Sequence, residues 1–96
     1  MLFMTTYKIK PFLSNEETAE LMRVFATEGP GPGTQAHYVS ADGSHGVVIA
    51  ETDNAEDGYR NLLNYTPWVE YQTDVMLTVD QAVPHIMDAL SAAHVS

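Results

Sequence analysis

The stretch Leu2-Phe3-Met4-Thr5-Thr6-Tyr7-Lys8-Ile9-Lys10, followed by Ser14-Asn15-Glu16-Glu17, decides the fold when read beside its echo, Val47-Val48-Ile49-Ala50-Glu51-Thr52 followed by Asp53-Asn54-Ala55-Glu56. Each joins a strand-like run to a helix-start box. In such a box a side-chain oxygen accepts an orphan backbone N–H of the first turn, and an acidic residue three positions on returns the bond. The repetition predicts a duplicated β-α-β plan.

Working outward, Phe3, Thr5, Tyr7 and Ile9 alternate with Leu2, Met4, Thr6 and Lys8, which is a strand period. Pro11 ends the run. Ser14 then caps a helix in which Thr18, Leu21, Met22 and Phe25 recur at helical spacing as far as Glu28. Gly29-Pro30-Gly31-Pro32-Gly33 cannot continue it and reads as a connector able to act as a hinge or lid. Residues 35–41 and 45–52 are strand runs flanking the turn Asp42-Gly43-Ser44, and should pair as a hairpin. The apolar run Val47-Val48-Ile49-Ala50 predicts a central strand covered on both faces.

Asp53 is expected to open a second helix with Ala55, Tyr59, Leu62 and Leu63 inward, stopped by Pro67. Tyr71, Thr73, Val75, Leu77 and Val79 then alternate with Glu70, Gln72, Asp74, Met76 and Thr78 as a fourth strand. Asp80 is expected to cap a last helix, with Pro84 in its first turn, an apolar stripe of Val83, Ile86, Met87 and Leu90, and fraying beyond Ala92. The fold class is therefore α+β: a ferredoxin-like β-α-β-β-α-β four-stranded antiparallel sheet with a C-terminal helix. Two helices cover only one face of such a sheet. The other face carries apolar side chains, so the expectation is a homodimer in which two copies pair by their bare faces into a dimeric α+β barrel.

The 96 residues fit a single domain spanning 1–96, and 45% hydrophobic content is ordinary for a globular protein. No apolar stretch reaches the roughly 20 residues needed to cross a bilayer, so no membrane partner is expected. Met1-Leu2-Phe3-Met4 is too short, and lacks the basic lead, for a secretory signal. With no cysteine there is no disulfide framework or thiolate site, and the cytoplasm is the default location. A formal charge of −9, from 13 acidic and four basic side chains, repels phosphate backbones and disfavours nucleic acid as a partner. The carboxylates cluster at helix starts, where they complement the helix dipole, so an acidic mimic of nucleic acid is the weaker explanation.

The opening Met1-Leu2-Phe3-Met4-Thr5-Thr6-Tyr7, the block His37-Tyr38-Val39-Ser40-Ala41-Asp42-Gly43 continuing to Val47-Val48-Ile49-Ala50-Glu51-Thr52-Asp53, and the segment 68–82 resemble a family of short bacterial proteins of unknown function. That family is assigned to the dimeric α+β-barrel superfamily. The resemblance spans nearly the whole chain and rests on strand, turn and cap residues, so it implies a fold. It does not choose among the cofactor-free monooxygenases, isomerases, haem-degrading enzymes and plain ligand-binding proteins that share the superfamily.

Tyr7, Tyr38, Tyr65, Trp68 and Tyr71 are the candidate ligand-binding residues, able to line an aromatic pocket for a small aromatic ligand. His37 and Tyr7 are the candidate catalytic groups, since imidazole ordinarily titrates near pH 6.5 and a phenol can orient or relay a proton. Strand alternation sends His37 and Tyr38 to opposite faces unless a bulge intervenes. Ser14 and Ser40 lack a nucleophile elbow. His45, Glu51 and Asp53 lack a ligand framework, so no metal and no cofactor are expected. Three functions remain: a homodimeric small-molecule-binding protein, a cofactor-independent monooxygenase or isomerase acting on an aromatic or enolisable substrate, and a protein-interaction module without a ligand.

Overall fold

The computed structural model describes residues 1–95. Its elements run β1 (Leu2–Ile9), α1 (Asn15–Glu28), β2 (Thr34–Val39), β3 (His45–Glu51), α2 (Ala55–Leu63), β4 (Val69–Met76) and α3 (Val79–Val95). The four strands form one antiparallel sheet in the order β2-β3-β1-β4. This is the ferredoxin-like α+β arrangement with an added C-terminal helix.

Local chemistry explains where the elements begin. Ser14 accepts the Glu17 backbone N–H at 3.1 Å, and the Glu17 carboxylate accepts the Ser14 N–H at 3.2 Å, so the expected capping box is complete. The second helix starts one residue later than predicted. Asn54, not Asp53, is its cap, accepting from the Asp57 N–H while its own amide donates to the Asp57 carboxylate at 2.8 Å. The last helix starts earlier than predicted. Thr78 and Gln81 exchange bonds across its first turn, which makes Thr78 the cap and places Asp80 inside the helix.

That shift shortens β4, which ends at Met76, so Leu77 and Val79 are not strand residues. Pro84 then falls in the second turn of α3, where its missing N–H leaves the Asp80 carbonyl without its helical donor. The helix continues to Val95 instead of ending at Ala92.

The side chains of β1 that alternate inward face α1 and α2 across a cavity. They are Phe3, Thr5, Tyr7 and Ile9, set in register with Ala50, Val48 and Gly46 of β3 and with Val75, Thr73, Tyr71 and Val69 of β4. Between the layers burial is sparse: Leu21 of α1 and Tyr65 after α2 are the most buried large side chains, each 9% exposed. The opposite face has no helix over it. Leu2 and Met4 of β1 and Val47 and Ile49 of β3 form a half-buried apolar strip there, while β4 contributes the polar Glu70, Gln72 and Asp74.

The molecule measures 62 × 27 × 18 Å. An eight-residue strand spans about 27 Å and a 17-residue helix about 25 Å. A length of 62 Å therefore requires α3 to run onward from the end of β4 instead of folding back. Its stripe of Val83, Ile86, Met87 and Leu90 is exposed.

The β2–β3 turn is held by Asp42, whose carboxylate accepts from the hydroxyls of Ser40 and Ser44, both at 2.7 Å, and from the Ser44 N–H at 3.0 Å. Gly43 supplies the φ of +74° that closes it. The Ser40 hydroxyl first, then the Ser44 backbone and hydroxyl, hold the Asp42 carboxyl well below the usual carboxylate range. A depressed folded-state pKa stabilises the turn above the ordinary value of 3.8 and withdraws that support as pH falls toward the lower folded value. Amide exchange at Ser44 and His45 should accordingly rise, relative to the rest of β3, as pH drops below 3.8, and Asp42→Ala should show the faster exchange above that pH, with the difference narrowing as pH falls.

Candidate functional site

Between the sheet and the two helices lies a cavity of about 560 Å³, within the range of small-molecule sites. Its floor is the inward face of the sheet. Its roof is Leu21, Met22 and Phe25 of α1 with Ala55, Tyr59 and Leu62 of α2, and the Pro30-Gly31-Pro32 connector closes one side. The lining contains no Asp, Glu, Lys or Arg.

One polar pair stands out on this floor. The Tyr7 hydroxyl lies 2.6 Å from Nε2 of His37, and the two rings meet edge to face with centroids 5.7 Å apart. The Phe25 ring of α1 also lies 5.7 Å from the imidazole, tilted by 59°. Two backbone features bring the pair together across an intervening strand. The register of β2 slips between Thr34 and Ala36, a bulge that changes the phase of the strand. Thr34 opposes the inward Ala50, yet two residues on Ala36 opposes the outward Ile49, and His37 opposes the inward Val48.

The second feature is Gly46, which pairs with Tyr7 in the ladder and separates β1 from β2. Any Cβ at Gly46 would run into the Tyr7 ring and hydroxyl, and would lie 2.8 Å from the Tyr38 carbonyl oxygen. The bare backbone of β3 therefore lets the phenol lie across it and reach the imidazole.

Several other polar groups of the lining are already engaged. Thr5 and Thr73 share a hydroxyl–hydroxyl bond of 2.8 Å across β1 and β4. Tyr65 donates its hydroxyl to the Gly29 carbonyl at 2.5 Å, and the Asn61 amide donates to Glu28 at 3.3 Å, tying the end of α2 to the end of α1. Tyr71 sits opposite Tyr7 in the ladder, and its hydroxyl has no hydrogen-bond partner among the described residues. Burial raises the Tyr7 phenol above its ordinary value, and burial with a smaller contribution from the Glu28 charge does the same for Tyr65.

The sequence-derived residues divide accordingly. Tyr7, His37, Tyr65 and Tyr71 line the cavity, although the Tyr65 hydroxyl is committed to Gly29. Tyr38 points to the opposite face and is 67% exposed, because the alternation that turns His37 inward turns its neighbour outward. Trp68 is absent from the lining; its backbone belongs to the turn after α2 and accepts from the Lys10 N–H. Glu51 and Asp53 both accept from the Met1 ammonium group, while His45 lies at the far end of β3.

Gly46, Thr5, Thr73 and Phe25 escaped the sequence reading. A signal was present for Gly46, since an isolated glycine inside an apolar strand marks a bulge or a close approach.

An antiparallel sheet, helices on one face and an apolar chamber between them define a ferredoxin-like protein with an internal cavity. By sequence the chain belongs to the family described as a domain of unknown function (DUF3303), which matches residues 1–90. No curated protein matches it. Among the described residues no helix is long and apolar enough to cross a membrane.

Gly46→Ala should displace Tyr7, break its bond to His37 and cost about 1–3 kcal/mol of stability, measured by denaturant unfolding. A phenol whose folded-state pKa lies above its unfolded value supports the fold below the ordinary 10.0 and loses that contribution as pH climbs past it. The stability difference between the wild type and Tyr7→Phe should therefore shrink as pH is raised above 10.0, read from paired melting curves.

Proposed function

We propose that this protein is a homodimeric binder of a small apolar molecule, one held between the helix layer and the sheet of each subunit. The observation that carries the binding half is the uncharged 560 Å³ cavity with an oriented Tyr7–His37 pair on its floor. A partly open chamber of that size, lined almost entirely by apolar surface, is of the kind that small-molecule sites use.

The pairing half is supported by surface. The chain exposes 6994 Å², against about 5,500 Å² for a folded monomer of its mass. A standard interface removes about 800 Å² from each partner, so a second copy is sufficient to account for much of the excess. The radius of gyration of 17.6 Å likewise exceeds the roughly 12.5 Å of a compact chain this long. Two-fold pairing by the strip of Leu2, Met4, Val47 and Ile49 would make the barrel typical of the dimeric α+β superfamily, with α3 reaching over the neighbouring subunit. The second reading, a cofactor-independent enzyme, draws on the same Tyr7–His37 pair, which has the geometry for proton transfer to an enolisable or phenolic substrate.

Sedimentation at micromolar concentration should give a dimer, and Ile49→Glu should move it toward monomer while circular dichroism stays native. A well-folded wild-type monomer at that concentration would refute the pairing. Turnover of a bound compound that vanishes in His37→Ala with the fold intact would select the enzyme; binding without turnover would select the carrier.

A further inference from the structure

We infer that the ligand is an uncharged aromatic or alicyclic molecule bearing one hydroxyl or carbonyl oxygen, with that oxygen seated on Tyr7 and the carboxylates of the same ring systems excluded. This rests on the reading of the cavity as a binding site and adds to it the chemistry of the occupant.

Three observations lead there. First, the lining holds no cationic side chain, and the whole chain carries −9, so a ligand carboxylate would leave water with no fixed positive charge to meet it. An unpaired charge in such surroundings is costly, far more so than a neutral hydroxyl that finds a partner. Second, most polar groups of the chamber are satisfied internally. Thr5 and Thr73 bond each other, and Tyr65 is spent on Gly29. A ligand with many polar groups would find few partners, whereas one with a single oxygen needs only one.

Third, the Tyr7–His37 pair can serve an oxygen of either polarity. When the phenol donates to Nε2, its oxygen keeps lone pairs to accept from a ligand hydroxyl. When an Nε2–H donates instead, the phenol proton is free for a ligand carbonyl. The bond of 2.6 Å fits both arrangements, since the imidazole can carry its proton on either nitrogen. Tyr71, directly across the ladder with its hydroxyl unengaged, lies beside the same position. The aromatic walls, Phe25 and Tyr59 above and Phe3 below, offer ring faces to a flat hydrocarbon body.

The test uses one ring system in three forms, 2-naphthol, naphthalene and 2-naphthoate, titrated by calorimetry and thermal shift against the full chain at pH 8, above the range in which imidazole side chains ordinarily carry charge. Naphthol should bind about tenfold more tightly than naphthalene, as expected for one additional well-made hydrogen bond in an apolar site. Naphthoate should bind more weakly than either. Tyr7→Phe should abolish the preference for naphthol while retaining naphthalene, which also verifies that the variant keeps its cavity.

Naphthoate binding as tightly as naphthol, or naphthol no tighter than naphthalene, overturns the inference and leaves the cavity reading standing. Failure of all three to bind removes the cavity reading itself. The selectivity of the unaltered protein decides between these results even if the variant does not fold.

Discussion

Two helices laid across a four-stranded sheet set the terms for everything else in this molecule. They cover one face, and even there they stand over small residues: Thr5, Gly46, Ala50 and Thr73 make the floor low beneath α1 and α2. A thin interior follows: among the described residues, Leu21 and Tyr65 are the buried large side chains. Burial of apolar surface is the main favourable term in folding, at about 25 cal/mol per Å², and a small domain has little of it to spare. The hydrogen bonds that fasten the helices to each other, Tyr65 to Gly29 and Asn61 to Glu28, hold the roof of the chamber along one seam.

The same low floor gives Tyr7 its position. A side chain at residue 46 would fill the space over β3, and the phenol could not cross toward β2. The bulge that phases His37 inward, the glycine beneath the phenol and the Phe25 ring against the imidazole belong to three different elements and converge on one hydrogen bond. Held in this way, the pair would need little reordering to meet the oxygen of the proposed ligand, and preorganisation is one of the main ways a site gains affinity.

Element order, strand alternation and the antiparallel plan were legible because each depends on near neighbours in sequence. Ser14 was read correctly because Glu17 stands three residues on and completes its capping box. The other starts lay in crowded ground: Thr52-Asp53-Asn54 offers three successive cap residues, and Thr78-Val79-Asp80 offers two. The caps are the residues that exchange bonds with a partner three positions on, Asn54 with Asp57 and Thr78 with Gln81. The site was harder to read because its geometry comes from pairing. Alternation could say that His37 and Tyr38 part company, but only the slip between Thr34 and Ala36 determines which of them turns inward. Gly46 lies nine residues beyond His37 in the chain and reaches Tyr7 only through the ladder.

The proposed pairing and the proposed binding bear on one sheet from its two sides, and that gives them a common energetic footing. Occupation of the cavity would add apolar contacts to Phe3, Leu21 and Phe25 of its lining, and a ligand that binds only the folded form stabilises it by an amount that rises with the logarithm of its concentration over Kd. A second copy on the outer strip, as proposed, would do the same from below, through Met4 and Ile49, which share β1 and β3 with the inward Thr5 and Val48. Because successive residues of a strand face opposite sides, anything that fixes Met4 also fixes Thr5. Ordering of the sheet by the proposed partner would thus lower the conformational entropy still to be lost on filling the chamber, the physical basis of positive coupling without any change of shape.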